Sequence, residues 1–364
     1  MRVAVDVTTL RGQISGVGYY TARIVEHLAA FAGSDVSELL LLSNGPIQRK
    51  LPPGCRVAPG LRFPIRSVWM QFFLPLTLRR LNPDITHFTN YLGPAVGARR
   101  YVVSVHDMSL TLTPQHHTFR KRALTASLVP RIARQSRLVL VPSEATRGDV
   151  VSGLGLPPSK VSVIPYAAAE MFAPVDTPPS DPRLKDPYFV FVGTIEPRKN
   201  LIRLLDAFAG FAREVPRVRL VLAGQRGWKC EEIYARAAAP DVSSRVMFLN
   251  YVPEADLPAL YSHALACVYP SSFEGFGFPV LEAMACGTPV LTSSTTSLGE
   301  LGRDAAWLVD PEDTDAIRKG LAALATNETL RHDLRERGLA RAQSYSWAET
   351  GRRTLEAYRT ALDC

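Results

Sequence analysis

No stretch of this 364-residue chain approaches the roughly 18 consecutive apolar residues that a membrane-spanning helix needs. The longest candidate, Ser67 to Leu78, carries Gln71 and is broken by Pro75. The N-terminus, MRVAVDVTTLRG, reaches Asp6 without a small-residue cleavage site. It therefore reads as a first strand and not as a signal peptide, and the mature protein is expected to begin here. Cysteines are few and unpatterned: Cys55, Cys230, Cys267, Cys286 and Cys364 are odd in number, scattered and never spaced as C-x-x-C. That fits a reduced, cytoplasmic compartment. A G-x-S-x-G elbow, a Walker A loop, an H-E-x-x-H pair and a Cys/His ligand set are all missing. A serine hydrolase, a P-loop NTPase and a zinc enzyme thus lack their main elements, and no metal site is expected. Asp313-Thr314-Asp315 spells D-x-D, but it follows Asp310-Pro311 and precedes Ala316-Ile317, where an Asp is better placed to cap a helix.

Acidic residues are scarce in one half only. Residues 1–180 hold 20 Lys+Arg against 10 Asp+Glu, whereas residues 181–364 hold 22 against 24. Much of the excess sits in Arg99, Arg100, Arg120, Lys121, Arg122, Arg131, Arg134 and Arg137. These flank or lie on an expected helix with Phe119, Leu124, Leu128 and Ile132 on its other side. Such a surface is either a solvated face or a contact for anionic lipid or another polyanion. Nucleic acid is not expected, because no nucleic-acid fold signature or interleaved stacking aromatics accompany the charge.

What is present is a repeating alternation. Short β-branched runs, each followed by an amphipathic helical stretch, occur at 3–7, 39–42, 85–88, 101–105, 138–141 and 161–164. A second set occurs at 188–192, 218–222, 246–249, 266–269, 289–291 and 307–309. Near-continuous apolar strands bounded by Gly, Ser or Pro indicate parallel sheets covered by helices on both faces. The length also exceeds what one core organises. Two doubly wound α/β domains are therefore expected, 1–180 and 181–344, joined at the proline-rich segment Ala173 to Pro187.

In open parallel sheets, ligands bind beyond the carboxyl ends of the strands. The loops there contain Gly12 to Gly18, His106-Asp107, Gly193 to Lys199, Gly224-Gln225 and Glu274 to Gly277. In SSFEGFGFPVLEAMACGTPV, Glu274 and Glu282 frame a glycine-rich turn at Gly275, Phe276 and Gly277 and a helix start at Pro279. A helix N-terminus favours an anion, and the two carboxylates could accept from hydroxyl groups of one ligand. In GTIEPRKN, Arg198 and Lys199 stand where the helix dipole disfavours cations, a mismatch that a bound diphosphate would offset. Gly16 and Val17 offer close backbone approach to a phosphate, although Gly16-Val17-Gly18 does not match G-x-G-x-x-G.

Together these residues resemble the retaining GT-B glycosyltransferases of glycosyltransferase family 4, over essentially the whole chain. The resemblance rests on Glu274-(x7)-Glu282 with Gly287-Thr-Pro-Val290, on GTIEPRKN, on VLAG at 221–224 and on His106-Asp107. It implies two Rossmann-like domains facing across a cleft and transfer of a sugar from a nucleotide-diphosphate donor, with retention and without an essential metal or other cofactor. It assigns Arg198 and Lys199 to the diphosphate, with Gly16 approaching it as well. Glu282 is assigned to the ribose, Glu274 to donor-sugar hydroxyls, His106 to the donor sugar near the reaction centre, and the backbone near Tyr251 and Val252 to the base. Catalysis is then expected from His106, Glu274, Arg198 and Lys199, donor contacts also from Gly275, Phe276 and Gly277, and Asp107 lies on the acceptor side. The segment Tyr345 to Leu362 resembles the family's C-terminal helix, which crosses back onto the first domain. Bacterial O-antigen and exopolysaccharide mannosyltransferases are nearest in appearance, so GDP-mannose is the favoured donor and a saccharide or lipid-linked saccharide the expected acceptor. A basic first domain would suit peripheral contact with an anionic inner membrane surface. UDP-hexoses and activated 6-deoxyhexoses stay open as donors. A non-catalytic two-lobed sugar-binding protein, an epimerase or a phosphorylase are the readings from other classes.

Overall fold

The computed structural model describes residues 1–12, 16–47, 49–60, 62–112 and 128–363. The chain divides into two compact units, one of Met1–Tyr166 with Ser346–Cys364 and one of Ala167–Tyr345. The proline-rich segment 173–187 lies inside the second unit and not at the crossing, which falls at 166/167. Prolines mark irregular backbone, and here that backbone packs: Phe172 is buried against Tyr261, and the Val175 amide donates to Ser262 Oγ at 3.2 Å.

The first unit holds seven parallel strands: β1 (Arg2–Asp6), β2 (Glu38–Leu42), β3 (Cys55–Val57), β4 (Ile85–Phe88), β5 (Tyr101–Ser104), β6 (Leu138–Val141) and β7 (Val161–Val163). Their order is β3-β2-β1-β4-β5-β6-β7. All but β3 coincide with apolar runs read from the sequence. Strand β3 escaped that reading because an edge strand of three residues, with exposed Arg56 between half-buried Cys55 and Val57, carries no continuous apolar signal. The second unit holds β8 (Tyr188–Val192), β9 (Arg219–Ala223), β10 (Val246–Asn250), β11 (Ala266–Tyr269), β12 (Val290–Ser293) and β13 (Trp307–Val309), ordered β10-β9-β8-β11-β12-β13. Central strands are buried on both faces, with Val3, Ala4, Val5, Phe189, Val190, Phe191, Leu220 and Val221 at 0% exposure. This burial is why their sequences are continuously apolar and not alternating.

Each sheet reverses its strand order once, between β1 and β4 in the first and between β8 and β11 in the second. Loops leaving the carboxyl ends of those strands diverge to opposite faces and leave a crevice. Close approach of two such loops in the second unit needs glycine: a Cβ on Gly224 would lie 1.8 Å from the Gly193 carbonyl oxygen. The helix Trp347–Asp363 belongs to the first unit, where it packs on the helix Gly16–Ala29 with Gly351 against His27. Asp313 caps the helix Thr314–Thr326 by accepting from the Ala316 amide at 2.9 Å, so its D-x-D is a cap in this fold. Among the described residues, no helix is long and apolar enough to cross a membrane.

Candidate active site

The switch point of the second sheet is occupied by a buried ionic cluster. After β8, the chain enters a 3₁₀ turn, Pro197–Lys199, and Asn200 then takes a left-handed conformation (φ 59°) before the helix Leu201–Glu214. The Asn200 amide group donates to the Pro270 and Pro311 carbonyls at 3.0 and 2.7 Å, which ties this turn to the loop after β11. The Ser272 amide returns a hydrogen bond to the Arg198 carbonyl at 3.0 Å. Arg198 and Lys199 therefore face Glu274, although some seventy-five residues separate them.

Glu274 receives both cations. Arg198 Nη1 donates to its Oε2 at 2.8 Å and Lys199 Nζ to its Oε1 at 2.5 Å, with Ser271 Oγ donating to Oε1 at 2.9 Å. Glu196 holds the other side of the guanidinium, with Arg198 Nη2 at 2.9 Å and Nε at 3.2 Å from its Oε1. Burial works to raise the Glu274 carboxyl, but the charges of Arg198 and Lys199 and the hydrogen bonds from Lys199 and Ser271 hold it down to about 2. Burial, and then the neighbouring guanidinium, pull the Lys199 ammonium below its ordinary range. Two carboxylates and two cations make the cluster neutral as a whole, the condition under which charges can be buried at tolerable cost. The dipole mismatch at Arg198 and Lys199 is thus offset in this structure by Glu196 and Glu274.

Sequence reasoning missed Glu196, Ser271 and Tyr269. Tyr269 is the last residue of β11, 1% exposed and stacked on Phe191 with ring centroids 5.2 Å apart. Its hydroxyl accepts from Lys199 Nζ at 2.6 Å and donates to Glu274 Oε1 at 3.1 Å, bridging the two. Its position at the carboxyl end of a switch-point strand was the available signal. Glu196 stands inside GTIEPRKN, two residues before the arginine it holds.

Gly275, Phe276 and Gly277 follow Glu274 into the helix Phe278–Ala285, which begins one residue before Pro279. Gly277 (φ 107°) could not be another residue without strain, and a Cβ there would meet Leu298 at 2.7 Å. Glu282 lies on that helix and accepts from Tyr261 Oη at 3.3 Å. Burial, opposed by that hydrogen bond and reinforced by Glu254, pushes its carboxyl up to about 8. The two motif glutamates therefore differ: Glu274 is pinned as an anion, whereas Glu282 keeps its proton near neutrality. Tyr251 and Val252 follow β10; the Tyr251 side chain is 59% exposed.

The switch point of the first sheet carries a different set. His106 follows β5, and both its ring nitrogens are engaged: Nε2 lies 2.7 Å from the Thr89 carbonyl and Nδ1 lies 2.7 Å from Tyr166 Oη. A carbonyl can only accept, so Nε2 carries the proton and Nδ1 accepts from the tyrosine. Burial lowers the imidazole's pKa, against the opposing influence of the Thr89 hydrogen bond and Asp107. Tyr166, which sequence reasoning also missed, stacks on Trp347 of the C-terminal helix (interplanar angle 9°). Deeper in the unit, His87 shares hydrogen bonds with Tyr358 Oη at 2.7 Å and Ser104 Oγ at 2.8 Å, and Tyr20 Oη lies 3.0 Å from Ser104 Oγ. Asp107 Oδ1 accepts from the Ser109 amide at 2.9 Å and hydroxyl at 2.6 Å. Gly16 begins its helix with open space where a Cβ would be. Arg120, Lys121, Arg122, Phe119 and Leu124 lie outside the described residues. Among the described residues, no group of three or more His, Cys, Asp or Glu is placed to hold a metal ion.

Comparison with known proteins gives the family and the fold. The family described as Glycosyl transferases group 1 matches residues 175–341, and that described as Glycosyltransferase Family 4 matches residues 14–167. O-antigen chain mannosyltransferase B of Escherichia coli is 29% identical over 99% of this chain and 100% of its own length. The serotype-specific mannosyltransferase WbdA of Escherichia coli is 32% identical over 60% of this chain, which spans 28% of it. Among solved structures, sucrose-phosphate synthase of Thermosynechococcus elongatus superposes with a TM-score of 0.76 at 20% identity, covering 98% of each chain. HepE of Anabaena, solved with UDP and glucose, gives 0.76 at 17% identity, covering 99% of this chain and 100% of its own.

Proposed function

This chain belongs to the family 4 glycosyltransferases with the GT-B fold, and on that premise we propose that it transfers mannose from GDP-mannose, with retention of configuration, to a saccharide or lipid-linked saccharide of a bacterial surface polysaccharide. The observation that carries this reading is the convergence of Arg198, Lys199 and Glu274 at the second sheet's switch point. The full-length similarity to an O-antigen chain mannosyltransferase supports mannose as the sugar.

In the free protein Glu274 acts as the counter-anion of both cations. A donor diphosphate takes over Arg198 and Lys199 and releases Glu274 to the hydroxyls of the donor sugar. The bond from the anomeric carbon to the diphosphate oxygen then breaks while charge grows on the leaving group, which the two cations stabilise without a divalent metal. The acceptor hydroxyl attacks from the same face, and its proton passes to the departing phosphate oxygen. No enzymic nucleophile is required. In the free protein four side-chain donors hold Glu274, from Arg198, Lys199, Ser271 and Tyr269, and two donors from Ser109 hold one oxygen of Asp107. Glu282 is assigned to the ribose, the backbone at Tyr251 and Val252 to the base, and Gly16 with the 275–277 turn to the diphosphate. His106 lies against the donor sugar in its neutral form. The first unit takes the acceptor, with Asp107 on that side, and its basic surface meets an anionic membrane from the cytoplasmic face.

A donor panel with a polyprenyl-linked oligosaccharide acceptor tests this. Acceptor-dependent release of GDP from GDP-mannose, insensitive to chelator and giving an α-linked product by NMR, is expected. Release from a UDP-hexose alone overturns the donor assignment, and an inverted linkage overturns the mechanism.

A further inference from the structure

We propose that the helical stretch from Arg66 to Leu81, together with the loop 93–100 beside it, is a docking surface for an anionic lipid bilayer. The inference deepens the membrane part of the reading above and rests on it for its place in the reaction, but its observations are independent of the sugar site.

Helical backbone runs unbroken through Arg66–Val68, Trp69–Phe73 and Leu74–Leu81. One side is inserted into the unit, with Trp69, Met70, Leu74 and Leu78 at 5% exposure or less. The other side leaves large apolar groups in water: Phe72 is 69% exposed and Leu76, one turn on, 52%, while Ile65 immediately before the helix is 57% exposed. The neighbouring loop extends this surface. Gln71 donates to the Gly93 carbonyl at 3.1 Å and accepts from the Ala95 amide at 2.8 Å, and a Cβ on Gly97 would meet Pro75 at 2.7 Å. Val96, held between those contacts, is 64% exposed. Scattered exposed apolar residues need no explanation, but several gathered on one helix and its neighbour do.

The charge around them is of one sign. Residues 62–100 contain six arginines and a single acid, Asp84, and that carboxylate accepts from the Arg2 amide at 2.7 Å. Arg79, Arg80, Arg99 and Arg100 are exposed, and among the described residues no ion pair engages them. This combination selects the occupant. A second copy docked through a two-fold axis would set these arginines against themselves. A polyanion in water would find the cations but leave Ile65, Leu76 and Val96 exposed. An anionic bilayer satisfies both, because apolar tips enter the interface while arginine stems lie along it and their heads reach phosphate. The helix also starts at the ligand edge of the sheet: Arg66 Nη2 lies 3.4 Å from Asp6 Oδ2, at the carboxyl end of β1. At about 1.5 Å per residue, Phe72 stands about 9 Å along the helix from Arg66. A lipid-linked acceptor held at the bilayer would thus present its head group beside the strand-end loops of the first unit.

The test is co-sedimentation of the full chain with vesicles of equal parts phosphatidylglycerol and phosphatidylcholine, against vesicles of phosphatidylcholine alone, at low and high salt. The full chain should pellet with the anionic vesicles and not the neutral ones, and salt should weaken the association. Neutralising two cations in Arg79→Gln/Arg80→Gln should lower the partition coefficient about five-fold per arginine. Phe72→Ser/Leu76→Ser should lower it at least as much, with an unchanged melting temperature because both side chains are exposed. GDP release with a water-soluble mannoside acceptor should be the same in all three proteins. Failure to bind anionic vesicles, or binding that neither double variant reduces, overturns the docking surface and leaves the transferase reading intact. A dimer by sedimentation velocity that Phe72→Ser/Leu76→Ser converts to monomer, with vesicle binding unchanged, assigns the face to a second copy and likewise overturns it. Absence of sugar transfer in every protein strikes the transferase reading alone.

Discussion

Around the first sheet's switch point, hydrogen bonds between neutral groups join His87, Ser104, Tyr20 and Tyr358 in one set and His106 and Tyr166 in another, with the Asp6–Arg66 ion pair at the end of β1 beside them. Around the second they are Glu196, Arg198, Lys199 and Glu274, linked by ion pairs. Burial treats these sets differently. It drives the His87 imidazole down to about 3, with the nearby His106 adding to the effect, so the first network stays uncharged and holds a shape. The second network can afford to stay charged because its members neutralise one another, and for the same reason it can exchange a partner. An incoming diphosphate can replace Glu274 without leaving a buried cation unpaired. The comparison teaches that a neutral buried network suits positioning, whereas a neutral-overall ionic network suits ligand exchange.

The largest expected effect comes from removing the carboxylate that the cations share. Glu274→Gln should lower folding stability by about 3–5 kcal/mol at pH 7, the cost of breaking a buried pair from one side. Its folded value of about 2 lies below the ordinary 4.5. The stabilisation it provides is therefore present above about pH 4.5 and lost as pH falls toward about 2, so the wild type and the variant should converge in acid urea titrations. The same variant should bind nucleoside diphosphate more tightly by calorimetry while turnover falls; weaker binding would mean that Glu274 does not compete with the ligand.

Next, Lys199→Ala or Arg198→Ala should cost about 1.5–3 kcal/mol of transition-state stabilisation, or ten- to over a hundred-fold in kcat/KM. Unaltered kinetics in both would remove the diphosphate site. Glu282→Gln should act through pH. Its folded value of about 8 stands above the ordinary 4.5, so the folded state holds the extra proton between these limits and wild-type stability falls as pH rises through that window. The variant should lack this slope and gain on the order of 4 kcal/mol at pH 8, while binding nucleotide more weakly; parallel profiles for the two proteins would contradict the buried-acid account. The smallest effect should belong to the neutral network. Tyr358→Phe removes the hydroxyl on His87 Nδ1 and should cost about 1 kcal/mol in denaturant melts with little change in kcat. A large kinetic loss there would erase the contrast between the two networks.

Twelve of the thirteen strands announced themselves as apolar runs, the central ones because a strand buried on both faces must be apolar throughout. The placement of Glu274, Arg198, Lys199 and His106 in loops at strand ends or a helix start was likewise legible, whereas Glu282 stands in the middle of its helix, with no acid in the first turn. What could not be read was who holds whom. Tyr166 and Tyr358 lie 60 and 271 residues from the histidines they bond, and nothing in their local sequence distinguishes them from core tyrosines. Tyr269 closes an apolar run and looked like more of it.

Local spacing by itself determined the alternation of strands and helices, the placement of glycines and charged groups at the loops, and the excess of positive charge in the first half. These follow from periodicity and backbone sterics, which act over a few residues. The tertiary structure alone decided that Glu274 neutralises Arg198 and Lys199, that His106 carries its proton on Nε2, and that Glu282 retains its proton near pH 7. Each of these depends on dielectric environment and on a partner brought close by strand order, and a linear sequence specifies strand order only through the fold it adopts.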